Sequence, residues 1–347
     1  MYTVLVGRAG VGKSASLGPA MGLLKEAGTS NILSDRITMP YVLEKLAKGF
    51  PQVGVGAQGG VTFGTLAATI ISSSELAVFL KASNEGMEIL TDLWDSREGD
   101  WQYGTRHVGE FKIKDACVNL LAGTTAKWLI DSIPSAAIGG GFTRRVNFVY
   151  GKDRSCLLPF PVARSSSAMQ KDLVEDLRHI ASHVHGEFRL SKDAIDCLVK
   201  YYPTTEPEDF DDEATVSYKS SKLTHVLKVC MALRAAQDDS MVISLIDTKQ
   251  AIALIDEVSS TISTIFRGVG DSNLAVATDK VLSFLEKSQA VTRQQLLASL
   301  WRHMSRDELN VVLATLVEGD VVLETHQGTL VIYMLNPAYS TKGVKVP

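Results

Sequence analysis

The sequence predicts an α/β fold on a five-stranded parallel sheet, followed by a helical unit and a small terminal unit of three helices and a hairpin. Three observations lead there. A short apolar run at 2–6 passes through a glycine-rich turn, Gly7-Arg8-Ala9-Gly10-Val11-Gly12-Lys13-Ser14, straight into a helical stretch. Four further apolar runs alternate with helical stretches up to residue 151, the pattern of strands joined by crossover helices. After a Pro- and Ser-rich stretch the periodicity turns helical and stays so to about residue 266.

Composition narrows the classes. The 347 residues suit two or three domains with cores of their own. A content of 45% hydrophobic and 21% charged residues excludes a disordered chain, and a net charge of -4 gives no global basic field. Cys117, Cys156, Cys197 and Cys230 form no CxxC pair, which argues against a zinc knuckle or a disulfide framework. No apolar run approaches the roughly 18 residues of a membrane span, and no signal-peptide layout precedes the first strand. A cytoplasmic protein without a membrane partner is the expectation.

The elements follow in order. Strands are expected at 2–6, 31–34, 68–73, 116–122 and 145–150, and helices at 15–27, 40–48, 75–94 and 125–133. A Gly-rich segment, 53–64, reads as a mobile loop. Residues 100–114 alternate apolar and polar types around Gly104 and Gly109, which predicts a β-hairpin. Residues 152–167 read as a linker. Helices are then expected at 169–185, 191–202, 216–237 and 247–266, with Leu223, Val226, Leu227, Cys230, Met231 and Leu233 on one apolar stripe. The acidic run from Glu206 to Glu213 reads as a solvated loop. Helices at 278–287, 293–303 and 306–318, with strands at 321–325 and 329–335 joined by His326-Gln327-Gly328, complete the chain. That layout is a winged helix. Seven Lys and Arg against seven acids from 275 to 347 leave the unit neutral, so protein docking competes with DNA binding.

The glycine-rich turn is a phosphate loop. Its glycines let backbone N–H groups curl around an anion at a helix N-terminus, which assigns Gly7, Ala9, Gly10, Val11, Gly12, Lys13, Ser14 and Ala15 to a nucleotide. Lys13 should reach the β- and γ-phosphates, and Ser14 should offer its hydroxyl to Mg²⁺. An ATPase of this kind also needs carboxylates at the end of a neighbouring strand. The run 68–75 ends in Ser74-Glu75, so Glu75 can orient the attacking water while Ser74 stands where an Asp is expected. The competing reading makes Glu75 only the acid at the start of the next helix.

Taken in order, the phosphate loop, the five strands, the helical unit and the winged helix resemble the AAA+ superfamily, and most nearly the MCM-related helicase-like ATPases of phages and mobile genetic elements. Glu75, Gly123-Thr124-Thr125 and the segment 139–145 carry the likeness. The resemblance implies an AAA+ P-loop core at 1–151, an α-helical lid at 152–270 and a winged-helix domain at 275–336. It implies that Thr124 or Thr125 senses the γ-phosphate, although either hydroxyl also suits a helix cap. Arg144 or Arg145 is the implied arginine finger reaching a neighbouring subunit's nucleotide, which requires a homo-oligomer, and the resemblance implies a hexameric ring. The hairpin at 100–114 corresponds to one that projects into the ring's pore, where Arg106, Lys112 and Lys114 would meet phosphates and His107 or Tyr103 would stack on bases. Lys222 is the implied second sensor from the lid, with Lys219 and Lys228 as competitors. Relatives carry further sequence upstream of the first strand, so the chain is expected to be part of a longer protein.

The expected function is an ATP- and Mg²⁺-dependent DNA helicase or translocase acting in phage or mobile-element replication, on single-stranded or forked DNA and alongside other replication proteins, in a host bacterial cytoplasm. The alternative is an ATP-switched origin-binding initiator or scaffold with little hydrolysis. Residues 100–154 hold eight Lys and Arg against five acids, and any grip on DNA is expected there.

Overall fold

The computed structural model describes the chain except residues 35–36, 56–60, 81–83, 97, 106–108, 134–139, 155–166, 210, 267–272, 289, 328–329 and 338–347. It divides into two compact units, Met1–Phe266 and Arg267–Pro347. Among the described residues no helix is long and apolar enough to cross a membrane.

The first unit opens with β1 (Tyr2–Gly7), α1 (Lys13–Glu26), β2 (Ile32–Ser34), α2 (Met39–Lys48), β3 (Phe50–Val55), β4 (Val61–Leu66) and β5 (Ala68–Ser73). Then come α3 (Leu76–Leu80), α4 (Asn84–Trp94), β6 (Asp100–Thr105), β7 (Gly109–Lys114), β8 (Cys117–Thr124), α5 (Ala126–Ser132), a 3-10 turn at Thr143–Arg145 and β9 (Val146–Gly151). Five strands form one all-parallel sheet in the order β2-β5-β8-β1-β9. β1 and β8 hold its centre, and the near-continuous apolar character of β1 follows from burial of Tyr2, Val4 and Val6.

Helices fill the rest of this unit: α6 (Ser167–His183), α7 (Lys192–Tyr201), α8 (Glu213–Lys219), α9 (Lys222–Ala235), α10 (Leu245–Ser259) and α11 (Ile262–Phe266). Two-residue strands, β10 (Arg189–Leu190) and β11 (Val242–Ile243), pair in parallel beside them.

Several expectations need correction. Of the loop expected at 53–64, residues 53–55 and 61–64 belong to an antiparallel pair, β3 with β4, registered from Phe50 opposite Leu66 to Val55 opposite Val61, and 56–60 lie outside the described residues. The helix expected at 75–94 is described as α3 and α4, the residues between them, 81–83, lying outside the described residues. The lid helices expected at 216–237 and 247–266 also break, at Ser220–Ser221 and at Ser260–Thr261. Hydroxyls at these breaks bond back into the preceding turn: Ser220 Oγ to Ser217 O (2.6 Å), Ser260 Oγ to Glu257 O (2.7 Å) and Thr261 Oγ1 to Val258 O (3.0 Å). The acidic run is not wholly solvated. Asp211 accepts a 2.6 Å hydrogen bond from the buried Lys219 ammonium, and Asp212 caps α8 at Thr215 N.

The buried face of α9 runs through Lys222, His225, Val226, Cys230 and Arg234, offset from the apolar stripe that the sequence offers. Its polar members are paired. Lys222 meets Asp256 at 2.7 Å and Arg234 meets Asp247 at 3.3 Å.

His225 joins these helices to the sheet. Its ring stacks on Tyr218 at 5.0 Å and meets Trp94 edge-on at 5.4 Å, while Nε2–H donates to the Arg144 carbonyl at 2.9 Å. Beside it the Tyr218 hydroxyl donates to Asn147 of β9 at 2.7 Å. Burial pulls the His225 pKa down to about 4, against the opposing bond to the Arg144 carbonyl and with help from Lys228. The folded chain therefore holds His225 neutral while the unfolded chain takes up a proton below pH about 6.5. The unfolded state binds more protons between pH 6.5 and 4, so stability falls as pH drops through that window, by about 2–3 kcal/mol at pH 4.5. Urea midpoints at pH 7 and 4.5 read this, and His225→Asn should remove that share of the pH dependence. Parallel pH profiles for parent and variant would refute it.

The second unit contains α12 (Asn273–Lys287), β12 (Val291–Thr292), α13 (Arg293–Leu300), α14 (Arg306–Glu318), β13 (Val322–Gln327) and β14 (Leu330–Leu335). Capping boxes at Thr292–Gln295 and Ser305–Glu308 start α13 and α14. The strands form an antiparallel sheet, β12-β14-β13, one strand more than the sequence indicates. Leu285, Leu296, Leu309, Val312, Val322 and Tyr333 fill its core. Strand pairing runs on through His326 opposite Val331 and Gln327 opposite Leu330, so the expected turn at 326–328 is largely strand.

Candidate nucleotide cleft

Parallel sheets bind ligands at the carboxyl ends of their strands. Here β5, β8 and β1 are neighbours, with Ser73 opposite Ala122 and Thr124 opposite Val6. Their ends therefore carry Ser74 and Glu75, then Thr124 and Thr125, then the turn from Gly7, side by side. A cleft of about 860 Å³ lies over them, lined by Gly10, Gly12, Lys13, Ser14, Glu75 and Thr124 among others. Ala9, Ala15 and Thr125 belong to the same wall.

The turn is built to receive an anion. Gly10 and Gly12 take φ of +77° and +108°, a region that L side chains rarely adopt. Gly12 caps the 14-residue α1 with no side-chain hydrogen bond, and no acid lies in the first turn. The orphan N–H groups of that turn thus have no side-chain cap from Gly12. The Lys13 ammonium folds onto the loop, donating to the Gly7 carbonyl at 2.7 Å and the Arg8 carbonyl at 2.9 Å. Ser14, Ser74 and Glu75 add oxygen donors of the kind a hard cation takes, alongside phosphate oxygens and water. Val11 lies within the loop, its N–H donating to Arg8 O at 3.3 Å.

The remaining predicted residues separate. Thr125 caps α5, accepting from Trp128 N at 3.3 Å, whereas Thr124 is buried at the strand end. Arg144 and Arg145 precede Val146, which pairs with Tyr2 at the other end of β1. Five residue steps along β1 separate that end from Gly7, about 16 Å at a rise of about 3.3 Å per residue. Neither arginine faces its own chain's cleft. Arg145 is committed: its guanidinium bonds Asp95 at 3.2 Å and the Gly141 carbonyl at 2.9 Å, and lies over the Trp94 ring. Arg144 is half-buried, with a 3.4 Å contact from Nη1 to Ser220 Oγ. Lys222 is held by Asp256 within the helical part and does not line the cleft. Lys219 pairs with Asp211 and Glu208, and Lys228 donates to the Trp94 carbonyl at 2.9 Å.

The expected hairpin forms as β6 and β7, registered from Asp100 opposite Lys114 to Thr105 opposite Gly109. Its tip residues Arg106 and His107 lie outside the described residues. Lys112 and Lys114 are exposed on one face of β7, but that face is not purely basic. Asp100 stands opposite Lys114, and Glu110 lies 3.8 Å from Lys112. Tyr103 is half-buried, its ring parallel to Trp101 at 5.8 Å and its hydroxyl bonded to Glu85 of α4. The alternation that predicts the hairpin does not reveal which face packs inward. Sequence reading also passed over Arg154, whose Nε donates to the Gly10 carbonyl at 2.6 Å.

The chain matches no protein-family model and no curated protein.

Proposed function

We propose that this chain is an AAA+-type ATPase, resembling the MCM-related helicase-like proteins, and that it drives a homo-oligomeric DNA motor in replication. The observation that carries this reading is the convergence of an uncapped phosphate loop, a strand-end carboxylate and a strand-end hydroxyl on one cleft, with Arg144 beyond the opposite end of the β1–β9 pair, about 16 Å of strand away. In this reading Lys13 holds the β- and γ-phosphates, Glu75 aligns water, and Thr124 reads the γ-phosphate. Mg²⁺, when bound beside Ser14, neutralises charge on the phosphates. Arg144 acts on a neighbouring chain's nucleotide. The Arg145–Asp95 pair ties its turn to the end of α4, from which the β6–β7 hairpin follows.

The helices 167–266 suit a lid, and three helices with a three-stranded sheet suit a winged helix. The outward side of α14 includes Arg306, Asp307, Asn310, Val311 and Glu318, one base against two acids, which favours a protein partner over a DNA groove for that unit.

Ser74 favours a second reading. With no carboxylate at the metal-associated position, ATP binding can serve as an assembly switch for an origin-bound scaffold. ATP hydrolysis with and without single-stranded DNA, together with a mass measurement, separates these readings. The motor reading expects an oligomer and faster turnover with DNA. An oligomer that binds ATP and DNA without turnover supports the switch, and an unstimulated monomer overturns the motor.

A further inference from the structure

We propose that Arg154 is a phosphate ligand of the nucleotide cleft in its own chain, a second cation beside Lys13. This rests on the reading of the cleft as a nucleoside-triphosphate site. β9 runs beside β1 with Gly151 opposite Gly7, so the end of β9 emerges at the loop. The approach is close: a Cβ on Gly7 would stand 2.7 Å from the Gly151 carbonyl oxygen. Three residues on, Arg154 folds back over the crown of the loop, Nε donating 2.6 Å to the Gly10 carbonyl. Its Nη2 lies 3.2 Å from the point where a Gly10 Cβ would sit, so the absence of a side chain there leaves room for the guanidinium.

Arg154 and Lys13 share one resting state. Each donates to neutral carbonyls of the same loop, Lys13 to Gly7 and Arg8, Arg154 to Gly10. A phosphate oxygen is the stronger acceptor, since it adds a full negative charge opposite a donor that is already a cation. Guanidinium geometry adds a second advantage: the fork can keep Nε on Gly10 while a terminal nitrogen turns to phosphate. Among the described residues lining the cleft, Lys13 is the one cation and Glu75 the one carboxylate. A triphosphate carries several negative charges, and Arg154 adds a positive charge at the crown of the loop to that of Lys13 in the cleft wall and that of the exposed Arg8, which is not among the cleft-lining residues. Arg144 stands before β9, at the end of the β1–β9 pair away from the loop, and is not placed to do so within the chain.

The test is titration of Mg·ATP and Mg·ADP into the parent chain, Arg154→Gln and Arg154→Lys, with melting temperatures measured with and without nucleotide. Arg154→Gln should raise Kd for both nucleotides about ten- to a hundredfold. Its nucleotide-free melting temperature should stay at the parent value, and Arg154→Lys should recover most of the affinity. Unchanged affinity in Arg154→Gln, or an affinity loss matched by a lower nucleotide-free melting temperature, overturns the assignment. If the parent chain binds neither nucleotide, the reading of the cleft falls, and this assignment with it. If the parent binds and Arg154→Gln binds equally well, only the role of Arg154 is lost.

Discussion

Replacing Glu75 with glutamine is expected to lower ATP turnover about 10²- to 10⁴-fold while leaving Mg·ATP affinity at the parent value. Glutamine keeps the shape of the side chain and removes the group that can accept or orient the proton of an attacking water. The backbone there is held independently of the carboxylate. Ser73 Oγ donates to the Glu75 carbonyl at 2.8 Å, and the same carbonyl accepts from Val78 N at 3.0 Å as α3 begins. Behind it, β8 approaches so closely that a Cβ on Gly123 would stand 2.9 Å from the Ser74 carbonyl oxygen. The substitution should therefore act on chemistry and not on folding. Steady-state hydrolysis and equilibrium binding on the same preparations separate the two. Were Glu75 only an acid preceding a helix, its loss would cost at most about 1 kcal/mol of stability and leave turnover untouched. Equal turnover in parent and variant would remove Glu75 from the mechanism.

Much of the cleft is legible in sequence because its parts are local. A strand, a glycine turn and a helix lie within the first 26 residues, and the carboxylate and hydroxyl sit at the ends of apolar runs. The run 68–73 is the strand that forms, and alternation about Gly104 and Gly109 finds the β6–β7 hairpin. The β3–β4 hairpin was lost because glycines at 54, 56, 59, 60 and 64 read as loop, although Val53, Val55, Val61 and Phe63 alternate as strand residues do. Breaks inside the helices between residues 213 and 266 were hidden for a related reason. Serine and threonine are tolerated in helices, and only the bonds they make decide whether a turn ends there. Partners distant in sequence were not legible at all. Nothing near Arg144-Arg145 says that Asp95, fifty residues earlier, takes one arginine and not the other. Lys222 reads as an available cation until Asp256 is seen beside it. The polar face of α9 defeats the apolar stripe in the same way, since Lys222, His225 and Arg234 are buried through pairing and not through hydrophobicity.

Arg144→Ala is expected to reduce turnover about 10³- to 10⁵-fold with no loss of Mg·ATP affinity in the isolated chain. Sheet register is the reason. Val146 pairs with Tyr2 and Gly151 with Gly7, so Arg144 and the phosphate loop stand at opposite ends of the same pair of strands. A side chain that cannot reach its own nucleotide can stabilise only a neighbour's. The turn is held on both sides: His225 bonds the Arg144 carbonyl, and Arg145, the following residue, is locked onto Asp95 and Gly141. Arg145→Ala should behave differently, since removing one partner of a largely buried pair costs about 3–5 kcal/mol and should show first as a lower melting temperature. Mixing gives the sharper test of action between chains. Lys13→Ala chains have an empty-handed phosphate loop but an intact Arg144, whereas Arg144→Ala chains have the reverse. Each alone should be inactive. In mixed oligomers an Arg144→Ala cleft next to a Lys13→Ala chain regains its arginine, so activity should return and peak near equal proportions. Mixtures that stay as inactive as their components, or an Arg144→Ala chain with parental turnover, would rule out a finger supplied across the interface.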